Sequence, residues 1–153
     1  MKTIHVITLG KLRDKNYLSI EHEYLKRIKS FKVKYHELKT HEENLELEGA
    51  EVLKKVQDIS KEGSPLLFLL AEKGKEFNSS QFSDWLFKKL ENHHGPLCFI
   101  FGGAAGHGNN LLEQKHEKIS LSLMTFPHQM ARVIFDEQLY RADTIYLNHP
   151  YHK

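Results

Sequence analysis

Three short runs in the last third of the chain carry residue types that could do chemistry together. The first is Phe101-Gly102-Gly103-Ala104-Ala105-Gly106, which follows an apolar stretch. Glycines after a strand serve where φ must be positive, or where a ligand approaches the main chain with no Cβ in the way. The second is Leu121-Ser122-Leu123-Met124-Thr125-Phe126-Pro127-His128-Gln129, which mixes hydroxyls with apolar groups. The third pairs Glu137-Gln138-Leu139-Tyr140-Arg141-Ala142 with the terminal Pro150-Tyr151-His152-Lys153, and so offers a guanidinium, a phenol and an imidazole. The combination suits a small polar cofactor held mainly by main chain, with separate side chains left for the reaction.

The glycine run does not have the G-x-G-x-x-G spacing of a dinucleotide fingerprint. A phosphate loop would need Lys and then Ser or Thr after its last glycine, and His107-Gly108 stands there. The same glycines would equally serve as a plain tight turn into the next helix. Ligands in open α/β sheets bind beyond the carboxyl ends of strands. That favours a site at this turn, with Leu70 at the end of the third strand and the Leu121–Phe126 segment after the fifth on the same edge. A flavodoxin-type nucleotide domain would need a phosphate loop after the first strand, where the chain has Leu9-Gly10-Lys11-Leu12 and no glycine or hydroxyl cluster.

At 153 residues, 40% apolar and 27% charged, the chain has the size and composition of one globular domain. Its longest apolar run, Leu66–Ala71, is too short to cross a bilayer, and Met1-Lys2 leads into no signal-peptide core. A lone Cys98 forms no internal disulfide, which fits a reducing, cytoplasmic setting. A net charge of +2 neither demands nor excludes a nucleic acid, because a local patch counts for more than the total. The histidines are scattered, and the pairs His36/His41 and His149/His152 lack further ligands, so no metal is expected.

Strand and helix patterns alternate along the chain. Apolar strands are expected at Thr3–Leu9, Val33–Leu38, Leu66–Ala71, Leu97–Phe101 and Ile119–Leu123. Helical spacing runs over Asn16–Ser30, through Leu53, Val56 and Ile59, and through Phe82, Trp85, Leu86 and Leu90 with Ser79-Ser80 as its cap. A short helix is expected at Leu111–Lys118, and a last one runs from Pro127, in its first turn, to about Ala142. The acidic stretch Glu42–Glu51 reads as a solvated helix face with its lead-in loop. The alternation predicts an α/β domain over residues 1–153, with a mostly parallel sheet flanked by helices.

The run GGAAG, then SLSLMTFPHQMARVIFDEQLYRA, then NHPYHK, resembles the H-type ribosomal large-subunit pseudouridine N3-methyltransferases of the SPOUT superfamily. The opening ITLGKLRDKNY and the segment EYLKRI extend the resemblance over the whole chain. It implies an S-adenosylmethionine-dependent methyltransferase with a trefoil-knotted fold, no metal, and a homodimer with each active site at the interface. Leu70, Gly102, Leu121, Ser122, Leu123, Met124, Thr125 and Phe126 are the implied cofactor-binding residues. Ala104-Ala105 departs from the polar residues or proline that relatives often carry. The implied substrate is a pseudouridine in a large-subunit rRNA stem-loop, methylated on the assembled ribosome. Lys11, Arg13 and Lys15 are candidate RNA contacts, or simply a solvated loop.

Methyl transfer from a sulfonium needs orientation more than a metal, and N3 must lose its proton. The resemblance implies catalytic roles for Arg141, Tyr151 and His152. Arg141 would hydrogen-bond a carbonyl oxygen of the base, Tyr151 would stack on or bond the base, and His152 would act as proton acceptor. Taken alone, Arg141 would pair with Glu137 one helical turn away, and Glu137 and Gln138 would orient it. A ribosome-binding factor without turnover is the rival reading, and such a factor would need neither the glycine turn nor the terminal Tyr-His.

Overall fold

A computed structural model describes every residue from Met1 to Lys153. In chain order the elements are β1 (Thr3–Leu9), α1 (Lys15–Arg27), β2 (Lys32–Leu38), α2 (Leu45–Ile59), β3 (Leu66–Lys75), α3 (Ser79–Asn92), β4 (Leu97–Phe101), α4 (Asn109–Leu112), β5 (Glu117–Ile119) and α5 (His128–Tyr146). The strands form one sheet in the order β2-β1-β4-β3-β5, and every pairing is parallel. β4 lies at the centre and is buried at every position, as expected of a strand covered on both faces.

Period-two alternation sorts the strand residues between two cores. Ile4, Val6, Phe68, Leu70, Phe99 and Phe101 face α3 and α5. Ile7, Leu67, Leu69, Cys98 and Ile100 face α2 and α4. Phe135 of α5 is fully buried and meets the rings of Phe99 and Phe101 at 5.1 and 5.5 Å. Truncating such a side chain costs about 3–5 kcal/mol, so the strand end that launches the glycine turn is firmly seated.

The two layers also decide where a ligand can enter. The connections after β1 and β3 run through α1 and α3, which pack with α5 on one face. The connection after β4 runs through α4 with α2, on the other. β4 therefore diverges from both neighbours at its carboxyl end, and crevices open between β4 and β3 and between β4 and β1. Open α/β sheets bind ligands at such divergences.

The local departures from the sequence pattern have local causes. The α3 cap is Asn78, not Ser79 or Ser80, because Asn78 and Gln81 exchange a full capping box. The short helix ends at Leu112, and His116 Nδ1 bonds the Gln114 carbonyl oxygen at 2.6 Å in the turn that precedes β5. β5 is displaced to Glu117–Ile119. Ser120 N–H bonds Lys75 O, and its hydroxyl bonds the carbonyls of Glu72 and Ser122, which pulls 120–125 out of the sheet as a loop. β3 runs on to Lys75 because Ile119 pairs with both Leu70 and Lys75 across an irregularity. Pro127 caps α5 from just outside, and that helix continues to Tyr146. Glu48 breaks the reading of a solvated acidic face, since it is buried.

Candidate functional site

The crevice between β3 and β4 is a cleft of about 350 Å³. One wall is the end of β3, Leu70-Ala71-Glu72, and another is Phe101–Ala104 with Gly106 and His107. Leu121, Ser122, Met124, Thr125 and Phe126 close it from the loop, and His128 and Ala131 from the start of α5. The turn itself is compact: Gly106 N–H bonds Gly103 O at 3.0 Å. A Cβ on Gly102 would lie 2.9 Å from the carbonyl carbon and oxygen of Gly106. Glycine is thus required at 102 by the turn's own backbone, and at 106 by a φ of +92°.

Three polar groups shape this cleft. Thr125 Oγ1 donates to Glu72 Oε1 at 2.7 Å, which ties the loop to the end of β3. Ser122 Oγ accepts Met124 N–H at 3.0 Å. His107 Nε2 bonds the Leu70 carbonyl at 2.9 Å and must be the donor. Burial holds the imidazole below its usual range, so it is neutral and its Nδ1 is an acceptor.

The crevice between β4 and β1 holds a second cavity, of about 400 Å³. It shares Phe101–Ala104 and His128 with the first and adds Thr8–Leu12, Thr40, Glu42, Glu43, Glu48, Gln129 and Arg132. Glu42 and Glu43 carry left-handed φ values of 49° and 63° on its rim. Arg132 is fixed beneath it. Its guanidinium is bidentate to Glu21 at 2.8 and 2.7 Å, reaches Glu37 at 2.8 Å, and lies 4.0 Å over the Tyr35 ring. Glu37 also accepts Leu12 N–H at 2.8 Å, so the loop carrying Lys11 and Arg13 is tied to α5. Beside this network Tyr35 OH donates to Asp136 Oδ1, while Asp136 Oδ2 has no donor. Burial, and then the Glu21 carboxylate, push Asp136 up to about 9. A proton held on Asp136 and turned toward the Glu21 carboxylate would satisfy Oδ2.

Arg141, Tyr151 and His152 come together at the other end of α5. Glu137 Oε1 accepts from Arg141 Nε at 2.9 Å and from Tyr151 OH at 3.0 Å. Arg141 lies 4.8 Å over the Tyr151 ring, which packs edge-on against Tyr140. The terminal segment is therefore docked, not frayed. Burial, then hydrogen bonds to Tyr24 and Glu137, raise Tyr151 above the usual phenol range, so it keeps its proton. Arg141 Nη1 lies 3.0 Å from His152 Nδ1. A guanidinium only donates, so Nδ1 is the acceptor and a neutral ring carries its proton on Nε2.

Of the residues expected around a cofactor, Leu70, Gly102, Leu121, Ser122, Met124, Thr125 and Phe126 line one cleft, and Leu123 does not; it points to solvent. Arg141, Tyr151 and His152 share a cluster, but not with that cleft. At a rise of about 1.5 Å per residue, α5 carries Arg141 roughly 15 Å beyond Ala131. Glu72, His107 and Glu48 escaped the sequence reading. Glu72 and His107 had a usable signal, each lying next to a strand end or glycine already singled out. Glu48 had none, because nothing in its helical spacing marks it as buried.

Residues 1–152 match the family described as "Predicted SPOUT methyltransferase". The chain is 38% identical over 161 residues to "Ribosomal RNA large subunit methyltransferase H" of Bacteroides fragilis, covering 99% of both chains. The protein of the same name from Parabacteroides distasonis is 42% identical over 149 residues, covering 97% of this chain and 88% of its own. Among solved structures, a probable methylase family protein from Haemophilus influenzae superposes with a TM-score of 0.52 at 13% identity, over 95% of this chain and 66% of that one; this likeness speaks for the fold alone. Full-length identity of this order, with an all-parallel sheet whose clefts flank one glycine turn, places the chain in the SPOUT methyltransferases, in the family of the ribosomal RNA large subunit methyltransferases H.

Proposed function

We propose that this protein transfers a methyl group from S-adenosylmethionine to N3 of a pseudouridine in large-subunit rRNA, on the assembled ribosome in the cytoplasm. The observation that carries the reading is the cleft between β3 and β4, where seven of the eight expected cofactor residues meet around the glycine turn. Its apolar walls at Leu70, Phe101 and Phe126 suit a purine and a methionine chain. The hydroxyls of Ser122 and Thr125, the Glu72 carboxylate and the His107 acceptor suit a ribose, an ammonium and an exocyclic amine. S-adenosylmethionine would supply an activated methyl on sulfur: as the N3–CH3 bond forms the S–CH3 bond breaks, S-adenosylhomocysteine is released, and the N3 proton passes to solvent water.

Arg141, Tyr151 and His152 act on the target base from a second copy of the chain. Leu123 is 67% exposed, Met124 73% and Met130 40%, and together they border the cleft with apolar surface. Val133 and Leu139 of the same helix are buried in the fold and offer no interface surface. Met130, Ile134, Glu137 and Arg141 follow one stripe of α5 that the fold leaves at least partly open. A two-fold contact along that stripe is self-complementary, and an antiparallel crossing brings the carboxyl end of each α5 to the cleft of the other chain.

At the base, Arg141 stabilises the anion left when N3 loses its proton, with Glu137 holding the guanidinium in place. Tyr151, whose hydroxyl proton goes to Glu137, stacks on the base. With Nδ1 taken by Arg141, His152 presents Nε2–H and acts as a second donor; it becomes a proton acceptor only by leaving Arg141. The test is mass spectrometry of rRNA from deletion and complemented strains, with calorimetric titration of S-adenosylmethionine. Loss and return of one methyl on a pseudouridine is expected. An unchanged methylation pattern would refute the reading.

A further inference from the structure

The second cavity contains a group that its surroundings leave incomplete. Glu48 is 4% exposed. Its Oε2 accepts the backbone N–H of His41 at 3.1 Å. Its Oε1 has neither a hydrogen-bond donor nor a cation partner in the chain, yet it is not sealed among the buried unpartnered atoms. Glu48 lines the cavity, and a Cβ on Gly103 would come 3.0 Å from Oε1. A buried acceptor that the fold leaves open toward a cleft calls for a donor from the occupant.

We propose that this cavity takes the target base, that Glu48 Oε1 accepts the N1–H of pseudouridine, and that this contact makes the enzyme select pseudouridine over uridine. The inference rests on the methyltransferase reading above. Its choice of N1 follows from the reaction geometry. The N3–H bond lies in the ring plane, along the direction of the lone pair that deprotonation exposes, and the methyl group must arrive along that line. A carboxylate bonded to N3–H would stand where the methyl has to come. Pseudouridine is joined to its sugar through C5 and keeps a second in-plane donor at N1, across the C2 carbonyl from N3. In uridine N1 carries the sugar and donates nothing. A base held at N1 by Glu48 can therefore turn N3 across the rim formed by Gly102–Ala104 and His128, residues that line both this cavity and the cofactor cleft.

A site built to bond a particular donor rejects an analogue lacking it strongly, because its own acceptor is then stranded. The experiment uses assembled ribosomes whose target position in large-subunit rRNA is pseudouridine, uridine or 1-methylpseudouridine. For the wild-type protein, kcat/KM for the last two should fall by about 100-fold or more. Glu48→Ala should lose activity on pseudouridine and leave the three substrates within about threefold of one another, with S-adenosylmethionine affinity unchanged; Glu48→Gln, which keeps an acceptor oxygen, should retain part of the preference. Equal wild-type rates on pseudouridine and 1-methylpseudouridine would overturn the assignment without recourse to any variant. So would Glu48→Ala keeping the wild-type preference. Wild-type protein that binds S-adenosylmethionine but methylates none of the three would instead overturn the choice of substrate, and this inference with it.

Discussion

If each working site takes its cleft from one chain and its Arg141 cluster from another, two inactive variants should restore each other. The distances along α5 are what suggest such a shared site. Arg141 is turned back onto Glu137, a rise of about 6 Å, and roughly 9 Å of helix still separates Glu137 from Ala131 at the cleft. Gly102→Val disables the cleft, because its side chain enters the backbone of Gly106. Arg141→Ala disables the cluster and leaves the cleft intact. Neither protein alone should turn over. In an equal mixture allowed to exchange subunits, half of the dimers are mixed, and each mixed dimer has one complete site. The mixture should reach about one quarter of wild-type activity, a figure set by the two-fold symmetry alone. The assay is methyl transfer to ribosomes, with native mass spectrometry to count mixed dimers. Mixed dimers with no recovered activity would refute the argument and place cleft and cluster in the service of one chain.

Gly102→Ala adds one carbon against a backbone that cannot give way, at a cost of about 1–3 kcal/mol; S-adenosylmethionine affinity should fall tenfold or more by calorimetry and the melting temperature should drop with it, whereas a melting temperature unchanged alongside full affinity would show that the turn relaxes. Asp136 takes up its proton near pH 9 in the folded protein, against an ordinary value of 3.8. The folded state therefore binds more protons than the unfolded one between those values, and stability should decline as pH rises through that window. Asp136→Asn presents the same donor and acceptor without titrating, so its denaturant midpoint should flatten against pH; parallel wild-type and variant profiles would refute the proton on Asp136. The Cys98 thiol is buried in β4 and pushed up to about 12 by that burial, so labelling by a thiol reagent at neutral pH should proceed only at the rate of opening, and fast labelling of folded protein would contradict its seat in the core.

What the sequence discloses follows from how local each signal is. β1, β3 and β4 are legible because each is a largely apolar run whose buried positions admit little else, and β2, a half-exposed edge strand, because Val33, Tyr35 and Leu38 punctuate a short polar stretch. β5 is misplaced because Ile119–Leu123 is apolar enough for a strand, while the contacts that expel it, Ser120 to Glu72 and Lys75, join segments far apart in the chain. The cleft is largely legible because main chain and short motifs build it. Glu48 and Arg132 are illegible for the opposite reason. In sequence they are charges on amphipathic helices; only the crossing of α1, β2 and α5 shows that Arg132 is buried and paired, and only the packing of α2 beside the glycine turn shows that Glu48 is buried and open. Arg141 is the instructive case, since the pairing with Glu137 that a helix surface predicts and the role at the base that the resemblance implies are not alternatives. Glu137 Oε1 receives both Arg141 and Tyr151, so the ion pair docks the terminal segment and presents guanidinium, phenol and imidazole as one rigid group. A donor array aimed in advance does not have to reorganise when charge develops on the base. On the proposed two-chain site, the pair that stabilises the helix surface would also make the far end of α5 ready for another chain's cleft.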